Sequence, residues 1–425
     1  MQEIICDRKI QELAQFSNRL DSHPRLLFRS MSRSTPTHSA YDWRTITALN
    51  TVSTLAQIGQ FGIIFVIVPV WLALQGLSAA QLGFFAASLW MGQMPGLGLA
   101  PWLCRHWGAR TVVVVGLAGS VVALLGIAWV PMASLPWQAY LACGLLAGLG
   151  MGLRWVGLEP WLYNIAPAHA RGRLVGFHET LIAAAPVVAP AIAAWVGVQG
   201  HTILWVGVGF TVSALVPLAF ARTPPVAEAH HINSWPQSAR AAWPHRIFKQ
   251  GLLIALCGGM LESALAGLFA VFAGDRGFEA EGIAHLLTAF GLGGLLLQYP
   301  VGWMADHWGL RAAGALAALG TALAAALLAL APQVPGLPGV PVAFAAMFVL
   351  GGLITAFLTL SLIAATKTPT PDMAWNVSSL SMAYSLSAVV GPVVASGAMT
   401  ATSSVALMWF AVAVGAVMVG LLLKR

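Results

Sequence analysis

The chain has 425 residues, 58% hydrophobic and only 8% charged, with a mean hydropathy of +0.80 and a formal net charge of +7. A water-soluble globule of this composition would expose apolar surface on a scale that soluble domains do not tolerate, so an all-α integral membrane protein is expected. Charge in such a protein is read by its side of the membrane rather than by its sum, and no nucleic-acid partner is needed to explain it.

Residues 1–45 are polar and mixed in charge, with Arg8, Lys9, Arg19 and Arg25 set against Glu3, Asp7, Glu12 and Asp21. No apolar run follows closely enough for a cleaved signal peptide, so the segment reads as a cytoplasmic tail, with Met31 as an alternative start. Hydropathy then marks twelve spans near the length of about 20 residues that crosses the hydrocarbon core as a helix. They are 46–73, 79–102, 111–131, 136–162, 174–197, 201–221, 248–274, 281–303, 312–331, 341–366, 375–399 and 402–423. Six precede and six follow the segment 222–247, whose Pro224, Pro225, His230, His231, Pro236 and Pro244 mark a linker. The expected division is a tail (1–45), an amino-terminal half (46–221), a linker (222–247) and a carboxyl-terminal half (248–425).

Sidedness follows from the basic residues. With twelve spans, 19 of the 21 Lys and Arg fall on one side, leaving Arg276 in a loop on the other and Arg154 inside a span. Both termini are therefore assigned to the cytoplasm of an inner (plasma) membrane protein. Cys6, Cys104, Cys143 and Cys257 form no CxxC pair, so neither a disulfide framework nor a zinc site is expected.

The two halves echo one another. HWGAR, His106 to Arg110, returns as HWGLR, His307 to Arg311, at an offset of 201 residues; Val187 to Pro190 returns as Val389 to Pro392 at an offset of 202. Two matches at nearly one spacing imply duplication of a unit of about 200 residues. Both copies of the first string read as short polar breaks between spans.

An ionisable group in hydrocarbon is costly and faces a cavity or a partner. Glu262 lies near the middle of the seventh span, beside Ser263, and reads as a proton- or cation-binding carboxylate or as a hydrogen-bonded packing acid. Arg154 in the fourth span could neutralise an anionic substrate or pair with Glu262 or Glu179. Glu159, five residues on, points elsewhere and reads as a partner of Arg171 or Arg173 at the interface. His178 and Glu179 are adjacent in the fifth span, so at most one faces the cavity. Asn50, Ser53, Gln57 and Gln60 recur at i, i+3, i+7 and i+10 on one face of the first span, and Thr355 and Thr359 share a face of the tenth. Either an aqueous cavity or polar packing between helices would account for such stripes. Many Trp, among them Trp43, Trp102, Trp107 and Trp303, cluster at span ends as an interfacial belt.

The six-plus-six layout and the loop after the second and eighth spans resemble the major facilitator superfamily. Its GxxxDxxGxR-type motif is matched by Gly302, Asp306, Gly309 and Arg311; the first copy keeps Gly108 and Arg110 but has Pro101 and Arg105 where Gly and Asp are expected. Pro190 and Pro392 resemble a degenerate GxxxGP motif, and the stretch from Glu159 to Arg173 is similar to the YcaD-like branch. The resemblance implies twelve helices in two pseudo-symmetric halves, with the first, fourth, seventh and tenth lining a cavity. It implies a monomeric secondary transporter, without a cofactor, that moves a small organic solute by alternating access. Coupling to protons through Glu262 and export are expected. Glu262, Arg154, Gln57, Gln60, Ser53, Asn50, Thr355, Thr359 and Glu179 form the expected pathway, and Gly108, Arg110, Gly302, Asp306, Gly309, Arg311, Glu159, Arg171 and Arg173 the conformational gate. Copper uptake through intramembrane Met and Cys, and a non-transporting sensor, are the alternatives.

Overall fold

The computed structural model describes residues 42–165, 171–222, 240–331, 339–369 and 373–424. Most of the expected tail and linker therefore lies outside the described residues. Among the described residues there is no strand, and twelve long helices follow in order. They are α1 (Trp43–Leu74), α2 (Ala79–Trp107), α3 (Ala109–Met132), α4 (Gln138–Ile165), α5 (Arg171–Ala183 and Ala185–Val196) and α6 (Thr202–Ser213 and Leu215–Phe220). The second six are α7 (Arg246–Asp275), α8 (Ala280–His307), α9 (Leu310–Leu330), α10 (Gly339–Lys367), α11 (Met373–Ala401) and α12 (Ala406–Leu423).

Eleven of these helices are long and apolar enough to cross a bilayer. The other is α2, whose 29 residues span about 44 Å; Gln81, Gln93, Pro95, Pro101 and Arg105 dilute its hydropathy. Every expected span is found to within five residues at either end. The largest difference falls at the repeated string. It is not a loop: His106 and Trp107 complete α2, and Gly108 alone separates α2 from α3. In the second copy, Trp308 and Gly309 separate α8 from α9. Gly108 (φ 80°) and Gly309 (φ 85°) occupy a conformation that only glycine adopts cheaply, as do Gly76 and Gly277 in the α1–α2 and α7–α8 turns. The duplication is thus kept in backbone geometry as well as in sequence.

Prolines explain two breaks. α5 is interrupted at Ala184, where Pro186 lacks the N–H that would continue the ladder, and α6 at Ala214, before Pro217. Pro392 sits inside an unbroken α11. In α1, residues Ile58–Ile67 take wider, π-type turns between α-helical ends.

Glycines set how closely the helices approach. A methyl at Gly92 or Gly148 would overlap the carbonyl of Leu145 or Leu89 across the α2–α4 crossing. The same overlap recurs across α8–α10, between Gly293 and Phe348 and between Gly351 and Phe290. Between the halves, Gly83 of α2 lies against Ser396 of α11, Gly267 of α7 against Ala86 of α2, and Gly291 of α8 against Pro186 of α5. The first two contacts lie in the part of the bundle away from the chain termini.

Candidate functional site

Two polar clusters stand inside the bundle, one in each half. The first centres on Arg154 of α4, which is fully buried. Gly116 and Gly150 bring α3 and α4 so close that a Cβ on either would stand 2.5 Å from the other's carbonyl oxygen, which fixes the base of the Arg154 side chain beside α3. Its Nε donates to Gln60 Oε1 at 2.9 Å and its Nη2 to Gln57 Oε1 at 2.5 Å. Gln60 Nε2 donates in turn to Ser120 Oγ at 2.6 Å. The guanidinium carbon lies 5.3 Å from the Trp155 ring centre, in cation–π contact.

Arg154 thus makes no ion pair among the described residues. The expectation that it pairs with Glu262 or Glu179 is corrected: its side-chain partners are two neutral amides on α1, which a guanidinium can fork between. Amide oxygens solvate the cation without cancelling it, and a guanidinium cannot shed its proton. Its Nη1 has no hydrogen-bond partner among the described residues.

The polar stripe of α1 is buried rather than open to a wide cavity, with Asn50 and Gln57 at 5% exposure and Ser53 and Gln60 at 0%. Asn50 Nδ2 donates to the Ile46 carbonyl at 2.9 Å, so its Oδ1 faces His178 Nδ1 at 3.0 Å. That arrangement puts the proton on His178 Nδ1. It leaves His178 Nε2, with Ser53 Oγ and Glu159 Oε1, enclosed and without a partner among the described residues. His178, not Glu179, is the inward member of the adjacent pair. Glu179 is exposed, and its Oε1 accepts from the Tyr163 hydroxyl at 2.9 Å. Glu159 stands in the field of Arg154 and Glu179; the side chains of Arg171 and Arg173 lie outside the described residues.

The second cluster is in the carboxyl-terminal half. Gly258 and Gly259 let α7 approach α11 closely enough to seat Tyr384, which is 3% exposed. The Tyr384 hydroxyl donates to Glu262 Oε2. Tyr384 also meets Trp90 of α2 across the interface between halves, ring centres 6.5 Å apart, and Trp90 meets Phe65 of α1 edge-on at 5.5 Å. Ser263, beside Glu262, is turned back to the Gly259 carbonyl at 2.8 Å. Thr355 likewise bonds its own helix, at the Gly351 carbonyl 2.7 Å away, and half-buried Thr359 lies one turn further along α10.

At the end of the bundle that holds the carboxyl terminus, Arg110 and Arg311 repeat one geometry in the two halves, whereas Asp306 has Arg105 as its counterpart in the first. Arg110 donates to the Ala221 carbonyl at the end of α6, and Arg311 to the Leu423 carbonyl at the end of α12. Each arginine therefore satisfies a helix carboxyl end whose carbonyls lack partners. His106 and His307 each lie against the Trp one turn before, Trp102 (rings tilted by 34°) and Trp303 (stacked), and bond its carbonyl. Asp306 does not hold Arg311; it accepts from Lys367 Nζ at the end of α10, 2.8 Å away. Gly302 meets nothing within 4 Å, so close packing does not explain it.

Among the described residues no three His, Cys, Asp or Glu side chains converge as metal ligands. Sequence reasoning missed Tyr384, Trp90, Ser120 and Tyr163. Their partners are distant in sequence and no spacing announces them.

A sequence profile of the Major Facilitator Superfamily matches residues 50–284 and 251–425. An uncharacterized MFS-type transporter of Yersinia pestis (strain Pestoides F) is 24% identical over 339 residues, covering 78% of this chain and 82% of the relative. The uncharacterized MFS-type transporter YcaD of Escherichia coli O139:H28 is 24% identical over 251 residues, 57% of this chain and 62% of its own length. Among solved structures, the nucleoside transporter NupG superposes with a TM-score of 0.72 at 14% identity, covering 90% of this chain and 100% of NupG. A D-xylose–proton symporter superposes with a TM-score of 0.73 at 15% identity, covering 91% of this chain and 98% of that one.

Proposed function

The chain belongs to the major facilitator superfamily and is a multi-pass membrane transporter of the secondary type; from that premise we propose that it exports a small organic solute across the inner membrane in exchange for protons. Its termini lie in the cytoplasm, and it works as a monomer without a cofactor. The observation that supports proton coupling is Glu262: a membrane-embedded carboxyl whose partner, Tyr384, also touches the opposite half through Trp90. The proton affinity of a carboxyl depends on its exposure to water and on its hydrogen bonds. Rearrangement at the interface between halves then alters how firmly Glu262 holds a proton, and protonation alters which arrangement is favoured.

The cross-half contacts of Gly83 and Gly267 support a reading in which the end away from the termini is closed and the cytoplasmic end is open. Asp306 with Lys367, and the caps made by Arg110 and Arg311, hold the helix ends that move in this exchange; Glu159, Arg171 and Arg173 complete the gate on the first half. Arg154 with Gln57, Gln60, Ser53 and Asn50, and Thr355 and Thr359 opposite, form the solute pathway. The test is flux of candidate solutes in proteoliposomes under an imposed pH gradient, with and without an uncoupler. The proposal expects solute movement against its gradient that the uncoupler abolishes; movement indifferent to the uncoupler would refute proton coupling.

A further inference from the structure

We propose that the groove between the first turns of α1 and the last turns of α6 seats one anionic phospholipid, with its phosphate on Arg44 and an acyl chain along Phe220 and Pro217. The groove is a shallow, open depression of about 490 Å³ between Trp43, Arg44, Thr47 and Thr51 of α1 and Pro217 and Phe220 of α6. α1 begins at Trp43 and α6 ends at Phe220, so the groove lies at one boundary of the membrane-crossing segments. It belongs to the outer surface of the bundle: Trp43 is 54% and Phe220 53% exposed.

The lining divides by chemistry. The Arg44 guanidinium lies 5.3 Å from the Phe220 ring centre, so cation–π contact holds the side chain over the groove. Arg44 makes no ion pair among the described residues, and no carboxylate lines the groove. The guanidinium fork is therefore available to phosphate oxygens, which it matches in geometry. Of the rest of the lining, Ala48, Pro217, Phe220 and the face of Trp43 are apolar and suit hydrocarbon, and the Thr51 hydroxyl is turned back to the Thr47 carbonyl at 2.9 Å. Trp at this depth is the usual marker of the headgroup level. One cation above an apolar slot, on a surface that faces the bilayer, selects an anionic amphiphile over a soluble anion. The seat braces α1, the helix whose Gln57 and Gln60 hold Arg154, against α6. This inference does not depend on proton coupling or on the direction of transport.

Native mass spectrometry of the purified full chain tests it, by titration with phosphatidylglycerol, phosphatidylcholine or inorganic phosphate. The wild type is expected to take its first phosphatidylglycerol about fivefold more tightly than phosphatidylcholine, the factor corresponding to about 1 kcal/mol for one basic residue near the surface. Arg44→Gln is expected to abolish that preference and Arg44→Lys to keep part of it, with unchanged helical circular dichroism showing that both variants fold. Phe220→Ala should weaken both lipids and, because it frees Arg44 from the ring that holds it over the groove, should also narrow their ratio. Equal binding of the two lipids by the wild type, or a preference that survives Arg44→Gln, would overturn the proposal. Arg44-dependent binding of inorganic phosphate without a lipid preference would overturn it too, by identifying a soluble anion as the occupant.

Discussion

Replacing Gly150 by alanine probes the helix contact that positions Arg154. The new Cβ would stand 2.5 Å from the Gly116 carbonyl oxygen and 2.7 Å from Ser120 Oγ, whereas ordinary contact begins at 3.4 Å. The oxygen belongs to helix backbone and cannot rotate away, so α3 and α4 must separate by roughly 0.9 Å, the shortfall between 2.5 and 3.4 Å. Overpacking of this kind costs about 1–3 kcal/mol. The higher helix propensity of alanine returns up to about 1 kcal/mol, so the informative control is Gly119→Ala on the same α3 face. There the nearest atom to a new Cβ is the Gly150 Cα at 3.7 Å, which is ordinary contact. The two variants share the propensity gain, so their difference isolates the steric cost. Denaturant unfolding in detergent, followed by helical circular dichroism, should place Gly150→Ala about 1–3 kcal/mol below Gly119→Ala. The separation would also stretch the Gln60–Ser120 and Arg154–Gln60 bonds, now 2.6 and 2.9 Å, and lower transport in parallel. Equal stability of the two alanine variants would refute the close α3–α4 approach and the placement of Arg154 built on it.

Further predictions concern single contacts. A double-mutant cycle of Gln60→Leu with Arg154→Met should show a coupling of about 1.5–3 kcal/mol, as expected for a buried hydrogen bond to a charge; additive losses would mean that the two side chains do not interact. Tyr384→Phe keeps the ring against Trp90 but removes the hydroxyl from Glu262, so the pH profile of flux should move; an unmoved profile would separate Tyr384 from coupling. Asp306→Asn removes an exposed pair, 42% and 61% accessible at its two side chains, and should leave the unfolding midpoint unchanged. Transport, in contrast, should fall more with Asp306→Asn than with Arg105→Gln, and equal effects would tell against an asymmetric gate. Arg110→Ala and Arg311→Ala should each speed amide exchange in the last turn of α6 and α12 respectively, and unchanged exchange would show that these arginines do not cap.

The spans were legible because each is a long apolar run bounded by charge or glycine, and that pattern depends on no distant residue. The duplication was legible at HWGAR and HWGLR because both copies need glycine at one left-handed position. The extent of α2 and α8 was not, because His106, Trp107 and His307 are polar or interfacial yet continue the helix. The stripe Asn50, Ser53, Gln57 and Gln60 could be read from α1 alone. Its partner could not, since Arg154 is 94 residues from Gln60 and their meeting depends on how α1, α3 and α4 cross. Periodicity also assumed regular α turns, whereas Ile58–Ile67 is wider, which changes the direction of Gln60 relative to Gln57. Glu262 was conspicuous as a carboxyl in an apolar helix. Tyr384, 122 residues away, looks like any other aromatic until α7 and α11 are brought together.

The central claim is that Glu262 carries the coupling proton while the rest of the pathway carries the solute. The most direct measurement compares two modes of transport by Glu262→Gln in proteoliposomes: flux driven by a pH gradient, and exchange of labelled for unlabelled solute with no gradient. Glutamine can still accept from the Tyr384 hydroxyl but cannot release a proton. The account predicts that gradient-driven flux disappears while exchange persists. Gradient-driven flux at the wild-type rate in Glu262→Gln would contradict it.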